Sequence, residues 1–267
     1  MINVAVVGVA GRMGRMLVEA LACDKYTSLV AAIAPPESAL LGVDAGELVG
    51  AGTMGVAITD SLEKCIDKVD AVIDFTVPDY TLENAALCAK YKKKLVIGTT
   101  GLTEAQIEGV QKAAQETGIV FAPNMSIGVN LVFKLLEMAA KTLEGDADVE
   151  IIEAHHKNKV DAPSGTALKM GRVVAEATGK KLEDCAVYAR EGYTGPRKQG
   201  TIGFATVRAG DVIGDHTSLF ACAGERIEVT HKASDRIIYA RGAIRAVRFL
   251  QDKQSGLFDM QDVLGLS

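Results

Sequence analysis

The sequence predicts an α/β protein: a doubly wound parallel sheet, and a second α+β domain that carries a mixed or antiparallel sheet. Three observations predict it. Over residues 1–122, short apolar runs of strand length alternate with helical periods, the β-α-β-α-β order that makes strands parallel and puts helices on both faces. A glycine-rich turn, Gly8 to Gly14, directly follows the first run. After Asn124 the pattern becomes one long helix and then a strand-rich region alternating with period two, which suits a sheet with one covered face.

The elements follow in order. Ile2–Val7 is apolar and valine-rich, a first strand. Beyond the glycine turn, Met16, Leu17, Ala20 and Leu21 fall on one face of a helix. Ser28–Ala34 is the second strand and Val69–Phe75 the third. Tyr80–Tyr91 reads as a helix and Lys94–Ile97 as the fourth strand, ending in Gly98-Thr99-Thr100-Gly101. Thr103–Thr117 is helical, with Thr103 the expected N-cap and Gly118 the expected stop; Ile119–Ala122 is the fifth strand. Asn130–Leu143 is a long helix, Val149–Ala154 a strand, and Thr166–Thr178 a helix stopped by Gly179. Ala186–Ala189, Ile202–Arg208, Asp215–Ala223 and Arg226–Lys232 read as strands. Ile237–Leu250 returns to a helical pattern suited to packing back on the first domain. The expected division is 1–126 with 237–267 as one domain and 127–236 as the other.

Composition narrows the function. Hydrophobic residues make up 48% of the 267, enough for a full core. The net charge of −5 argues against a general nucleic-acid binder, and positive charge is concentrated between His155 and Lys159. No uncharged apolar run reaches the ~18 residues of a membrane span. The N-terminus moves straight into a strand, not a signal peptide, so a cytoplasmic protein is expected. The five cysteines form no Cys-x-x-Cys pair and none lies near His155 in sequence. They are expected to be reduced thiols, and no metal site is expected.

Gly8-Val9-Ala10-Gly11-Arg12-Met13-Gly14 joins a strand to a helix. That is the setting of a Rossmann-type dinucleotide site: a tight turn, close backbone approach, and the pyrophosphate at the helix N-terminus. Ala10 stands where the second glycine usually is. Three further strand ends carry Gly, Thr or Asn: Phe75-Thr76, Gly98-Thr99-Thr100 and Ala122-Pro123-Asn124-Met125. Open α/β sheets bind ligands at such carboxyl ends. The second strand ends in Ala34-Pro35-Pro36-Glu37, with neither a carboxylate at its tip for ribose hydroxyls nor a cation beside it for a 2′-phosphate. NADH and NADPH therefore both remain admissible.

The chemistry concentrates in Glu153-Ala154-His155-His156-Lys157-Asn158-Lys159-Val160-Asp161-Ala162-Pro163-Ser164-Gly165-Thr166. A histidine can donate a proton near neutral pH. Lys159 can return close to His155, bind a carboxylate and stabilise developing negative charge. Ser164, Gly165 and Thr166 open a helix, where backbone N–H groups bind anions. Alone, Ser164 is an N-cap and Lys157 a solvated charge; their conjunction with the His pair points to an enzyme acting on a small carboxylate-bearing substrate.

That stretch resembles the signature of the dihydrodipicolinate reductase (4-hydroxy-tetrahydrodipicolinate reductase) family. Val7–Gly14, Asp74–Pro78, Gly98–Gly101, Ala122–Asn130 and Arg190–Lys232 are similar as well. The resemblance implies NAD(P)H-dependent reduction of 4-hydroxy-tetrahydrodipicolinate to tetrahydrodipicolinate in lysine and diaminopimelate synthesis. It implies that His155 is the proton donor and Lys159 the second catalytic residue. His156, Gly165 and Thr166 would touch the dicarboxylate substrate, with Ser164 and Thr100 nearby. Gly8–Met13, Gly98–Thr100 and Ala122–Met125 would hold NADH or NADPH. The same resemblance implies a dinucleotide-binding domain, a substrate-binding and oligomerisation domain, and a homotetramer built through the latter's sheet. The competing readings are another NAD(P)-dependent small-acid dehydrogenase, or a non-catalytic dinucleotide sensor. The sensor leaves His155, Lys159 and Ser164–Thr166 without a purpose.

Overall fold

A computed structural model describes residues 1–266. In chain order the elements are β1 (Ile2–Val7), α1 (Arg12–Ala22), β2 (Thr27–Ile33), α2 (Ala45–Leu48), β3 (Ile58–Thr59), β4 (Ala71–Asp74), α3 (Pro78–Tyr91), β5 (Lys94–Ile97), α4 (Glu104–Ala114) and β6 (Gly118–Phe121). They continue with α5 (Ile127–Thr142), β7 (Asp148–His155), α6 (Gly165–Ala177), α7 (Leu182–Cys185), β8 (Ala186–Val187), β9 (Ile202–Arg208), β10 (Gly214–Ala221) and β11 (Arg226–Ala233). The last are α8 (Ile237–Phe249), β12 (Gly256–Phe258) and α9 (Met260–Leu264). The chain divides into two compact units: Met1–Ile127 with Ile237–Ser267, and Gly128–Arg236.

The first unit is built on a seven-stranded sheet in the order β12-β6-β5-β4-β1-β2-β3. Every ladder in it is parallel. Because strand side chains alternate, each apolar strand feeds two cores. Val4, Val6, Ile73 and Val96 face one core, which Leu17 and Val18 of α1 and Ala243, Ile244 and Val247 of α8 complete. Ala5, Val7, Val72, Leu95 and Ile97 face the other, with Ala85 and Cys88 of α3 and Val110 and Ala113 of α4. The five cysteines are free thiols.

Two details depart from the sequence expectation. Helix α4 keeps Thr103 as N-cap, in a capping box with Gln106, but ends at Ala114. Gly118 is not its stop; it opens β6. A Cβ there would come within 3.1 Å of Leu250 and 3.3 Å of the Lys253 carbonyl, so packing accounts for the glycine. The seventh strand, β12, was not anticipated, because three residues are too few to show a period; it joins the sheet beside β6.

The second unit carries a five-stranded sheet in the order β11-β10-β7-β9-β8. β10 runs antiparallel to β11 and β7, whereas β9 is parallel to β7 and β8, so the sheet is mixed. Ala186–Ala189 contributes only Ala186–Val187. One face is covered by α5 and α6: Val132, Phe133, Leu136, Met170 and Val174 pack on Ile151, Phe204 and Phe220. The residues of β10 alternate between buried and half-buried accordingly. On the opposite face Ile152 pairs across with Thr217 and Ala154 with Val207, and Ile152 and Val207 remain 41% and 47% exposed.

Candidate active site

In the first unit, β1 ends at Gly8, whose φ of +87° an L side chain adopts only with strain. The turn is so tight that a Cβ on Gly14 would stand 2.2 Å from the Gly8 carbonyl oxygen. The N-cap Gly11 makes no side-chain cap bond, and the first turn of α1 holds no acidic residue. Among the described residues no side chain caps the helix tip, which leaves its amides for a pyrophosphate; the residues present fit a dinucleotide. Gly11 and Arg12 are exposed and Ala10 and Met13 half-buried, whereas the Val9 and Ala34 side chains belong to the core.

A buried carboxylate sets the neighbouring strand tips. Asp74, at the end of β4, accepts hydrogen bonds from the Thr76 amide (2.9 Å) and hydroxyl (2.6 Å) and from Asn84 Nδ2 (3.0 Å). The Thr99 hydroxyl accepts from the Thr76 amide at 3.0 Å and from the Thr81 hydroxyl at 2.8 Å. Thr76 and Thr99, expected at the cofactor, thus commit their hydroxyls inward, and the Thr76 amide is committed with them. The Phe75 ring lies against Gly98, where a Cβ would clash with it. Thr100 and Pro123 are exposed and Asn124 half-buried, while Ala122 and Met125 are core.

In the second unit, β7 delivers the reactive stretch. Glu153 and His155 lie two residues apart on a strand and therefore share a face. Glu153 Oε2 meets His155 Nδ1 at 2.5 Å. Arg208, opposite His155 in the β9 register, donates from both terminal nitrogens to the two Glu153 oxygens, each at 2.8 Å. Glu153 Oε1 also accepts from the Ser164 amide at 3.0 Å, which ties β7 to the start of α6. The Ser164 hydroxyl caps the Ala167 amide at 3.2 Å and lies 2.9 Å from His216 Nε2. The His216 ring packs edge-on against His155, centroids 5.0 Å apart.

Charges follow from this geometry. Burial works against ionisation of Glu153, but hydrogen bonds from Arg208, His155 and the Ser164 amide outweigh it and hold the carboxyl below its usual range. For His155, burial is the largest influence and lowers its pKa; Glu153 acts in the opposite sense, and Lys159 and Arg208 add to the lowering. The imidazolium is therefore a stronger acid than free imidazole. Burial, with the neighbouring His155, lowers His216 to about 4, so that ring is neutral at physiological pH.

Beyond β7 the chain turns. His156 is half-buried, and its Nδ1 is enclosed without a hydrogen-bond partner. Lys159 is not a free cation: Nζ pairs with Asp161 Oδ1 at 2.7 Å. Asp161 is held ionised first by that bond and also by the Gly165 amide. Gly165 begins α6, and a Cβ there would meet nothing within 4 Å. Ser164, by contrast, is 2% exposed. The structure thus gathers His155, His156, Lys159, Ser164, Gly165 and Thr166 around the β7 exit and the α6 tip, while Thr100 belongs to the other unit. Sequence reasoning passed over Glu153, Arg208 and His216 as functional groups. The period-two spacing of Glu153 and His155 was a usable signal; Arg208 and His216 arrive only through strand register.

A parallel doubly wound sheet with an uncapped glycine-rich helix tip, and a separate unit holding a buried histidine, a lysine and a helix tip, define a nicotinamide-dependent oxidoreductase. Family models described as dihydrodipicolinate reductase, N-terminus and C-terminus, match residues 2–125 and 128–264. The chain belongs to the dihydrodipicolinate reductase family. It is 57% identical over 265 residues to a curated relative named 4-hydroxy-tetrahydrodipicolinate reductase from Pseudomonas fluorescens, covering 99% of each. Among solved structures it resembles a dipicolinate-bound dihydrodipicolinate reductase from Paenisporosarcina sp. TG-14, with a TM-score of 0.79, 27% identity and 98% of both chains covered. A probable dehydrogenase from Thermotoga maritima, at 17% identity and TM-score 0.64, covering 99% of this chain and 93% of its own, shares the fold.

Proposed function

We propose that this chain reduces 4-hydroxy-tetrahydrodipicolinate to tetrahydrodipicolinate with NAD(P)H, a step of lysine and diaminopimelate synthesis. The observation that carries the reading is the full-length identity, across both units, to relatives named for that reaction. The buried His155 beside Lys159 and an open helix tip supports it.

The first unit binds the dinucleotide. Gly8, Val9, Ala10, Gly11, Arg12 and Met13 hold the pyrophosphate, largely through backbone, and Ala34 lies towards the adenosine ribose. Phe75, Thr76, Gly98, Thr99, Thr100, Ala122, Pro123, Asn124 and Met125 shape the nicotinamide end. Reduced nicotinamide held there would supply a hydride to the cyclic unsaturated imine that the substrate becomes on losing its 4-hydroxyl as water. The second unit binds the dicarboxylate. A substrate carboxylate takes the place of Asp161 on the Lys159 ammonium and meets the amides of Gly165 and Thr166, oriented by the Ser164 cap; His156 contacts it too. Lys159 favours the enamine-like anion that hydride addition would leave, and His155 gives it a proton; with the substrate's 4-hydroxyl lost as water, hydride and proton complete the reduction to tetrahydrodipicolinate. We assign the protein to the cytoplasm; no helix among the described residues is long and apolar enough to cross a membrane. We also propose a homotetramer assembled through the uncovered face of the second sheet.

Following NADH and NADPH absorbance side by side with freshly made substrate tests the reading. His155→Ala is expected to lower kcat by roughly 10²–10⁴-fold. Lys159→Ala is expected to lower kcat and raise KM, because its charge acts on both bound and reacting states. Near-normal kcat in both variants would overturn the site.

A further inference from the structure

We propose that Glu153 is the positioning residue for His155, that Arg208 opposes its pull on the Nδ1 proton, and that Gly214 leaves the space in which His155 Nε2 presents the proton it donates. The inference rests on the reading of His155 as proton donor and deepens it.

Glu153 is a carboxylate only 1% exposed with four polar contacts. It receives Nδ1 of His155 at 2.5 Å, both Arg208 terminal nitrogens at 2.8 Å, and the Ser164 amide at 3.0 Å. A histidine whose Nδ1–H is held by a carboxylate is fixed in orientation and tautomer, leaving Nε2 as the exchanging nitrogen. Nε2 sits beside Gly214 on β10, where a Cβ would stand 3.0 Å from it. The bidentate Arg208 keeps Glu153 charged and so draws down its affinity for the Nδ1 proton. The Nδ1 proton therefore stays on the imidazole, and the proton that leaves is the one on Nε2. The groups facing His155 are few: Glu153 on its own strand, Arg208 on β9, His216 on β10, and Lys159 in the following loop, itself paired with Asp161. His231 on β11 lies beyond His216, opposite it in the register. Of these, Glu153 alone stabilises the protonated ring, while Arg208 and Lys159 oppose it.

Opposite effects from the two partners follow. A proton donor works while protonated, so its rate falls as pH rises through its pKa. Glu153→Gln keeps the shape and a hydrogen-bond acceptor but removes the charge; the alkaline limb of the kcat profile moves to lower pH, and kcat at neutral pH falls roughly tenfold to a hundredfold, part of the 10²–10⁴ of a general acid. Arg208→Gln removes the opposing cation, and the limb moves to higher pH. The same two variants are read without turnover by NMR titration of the imidazole nitrogens of full-length protein. With four histidines in the chain the spectrum is assignable; the His155 midpoint is expected to fall in one variant and rise in the other. Crossed shifts support the proposal. Midpoints and limbs unmoved in both variants, or moved the same way, overturn it even where activity is lost, because a merely structural role lowers the amount of active enzyme without moving a limb. If instead His155→Ala keeps wild-type kcat and its alkaline limb, the donor reading itself has failed.

Discussion

Two glycines show at the residue scale how structural and functional demands separate. Gly14 has no freedom: a Cβ would enter the backbone of Gly8 and Val9 at 2.2–2.7 Å, so the turn fails with any other residue. Gly165 is different. Its φ is not in the left-handed region, and a Cβ would meet nothing within 4 Å. Nothing in the protein's own packing asks for glycine at the first position of α6, where Ala is the better helix former. A ligand that must approach the backbone does ask for it. Gly165→Ala is therefore expected to leave stability unchanged or raise it by up to about 1 kcal/mol, by reducing unfolded-chain freedom, while raising KM for the dicarboxylate about tenfold or more. Thermal unfolding and steady-state kinetics on the same sample check it; a destabilised protein, or an unaltered KM, would remove Gly165 from the substrate site.

Elements were legible where a period had room to show itself. The parallel strands β1, β4, β5 and β6 are continuous apolar runs, and the α4 cap is written in Thr103 and Gln106. Short pieces were not: α2, β3 and β12 are two to four residues long, and their conformation is imposed by neighbours. The site divides the same way. His155, Lys159 and the α6 tip stand in one contiguous motif, whereas Arg208 and His216 reach Glu153 and Ser164 only because β9 and β10 align with β7. The sheet of the second unit also shows what alternation leaves uncovered. Inward residues of β7 and β10 meet α5 and α6, while Ile152, Val207, Thr217 and Leu219 form the other face. The proposed tetramer would use this face, on which Ile152 and Val207 are the exposed apolar residues. On the proposed tetramer, Ile152→Arg with Val207→Arg is expected to yield monomers of about 28.1 kDa by light scattering. Being exposed, each change should cost the monomer within about 0.5 kcal/mol. A double variant of unaltered mass would place the interface elsewhere.

At the scale of the whole molecule, the chain assigns its chemistry unevenly between its two units. All four histidines, His155, His156, His216 and His231, lie within Gly128–Arg236, and the first unit holds none. This gives the two units different responses to acid. Burial lowers His216 from 6.5 to about 4 and lowers His155 and His231 as well. For a histidine depressed in the folded state, the unfolded chain binds the proton more readily. Stability is then complete above the unfolded value of about 6.5 and is lost as pH falls towards the folded value. For His216 the 2.5-unit difference between 6.5 and about 4 corresponds to roughly 3 kcal/mol by pH 4, at 1.36 kcal/mol per unit; the other two histidines act in the same sense. The first unit's depressed carboxylates are Asp24, Asp44 and Asp60, which start from 3.8, and Glu116, which starts from 4.5, so their effect begins only at the acid end of this window. Between pH 6.5 and 4 the second unit should therefore lose stability while the first holds. Hydrogen exchange resolved by segment, corrected for the intrinsic pH dependence of exchange, should show protection of β7, β10 and β11 falling through this range. Protection of β1, β4 and β5 should stay level. Loss in both units together, or in the first unit before the second, would mean that acid acts elsewhere than on the buried imidazoles.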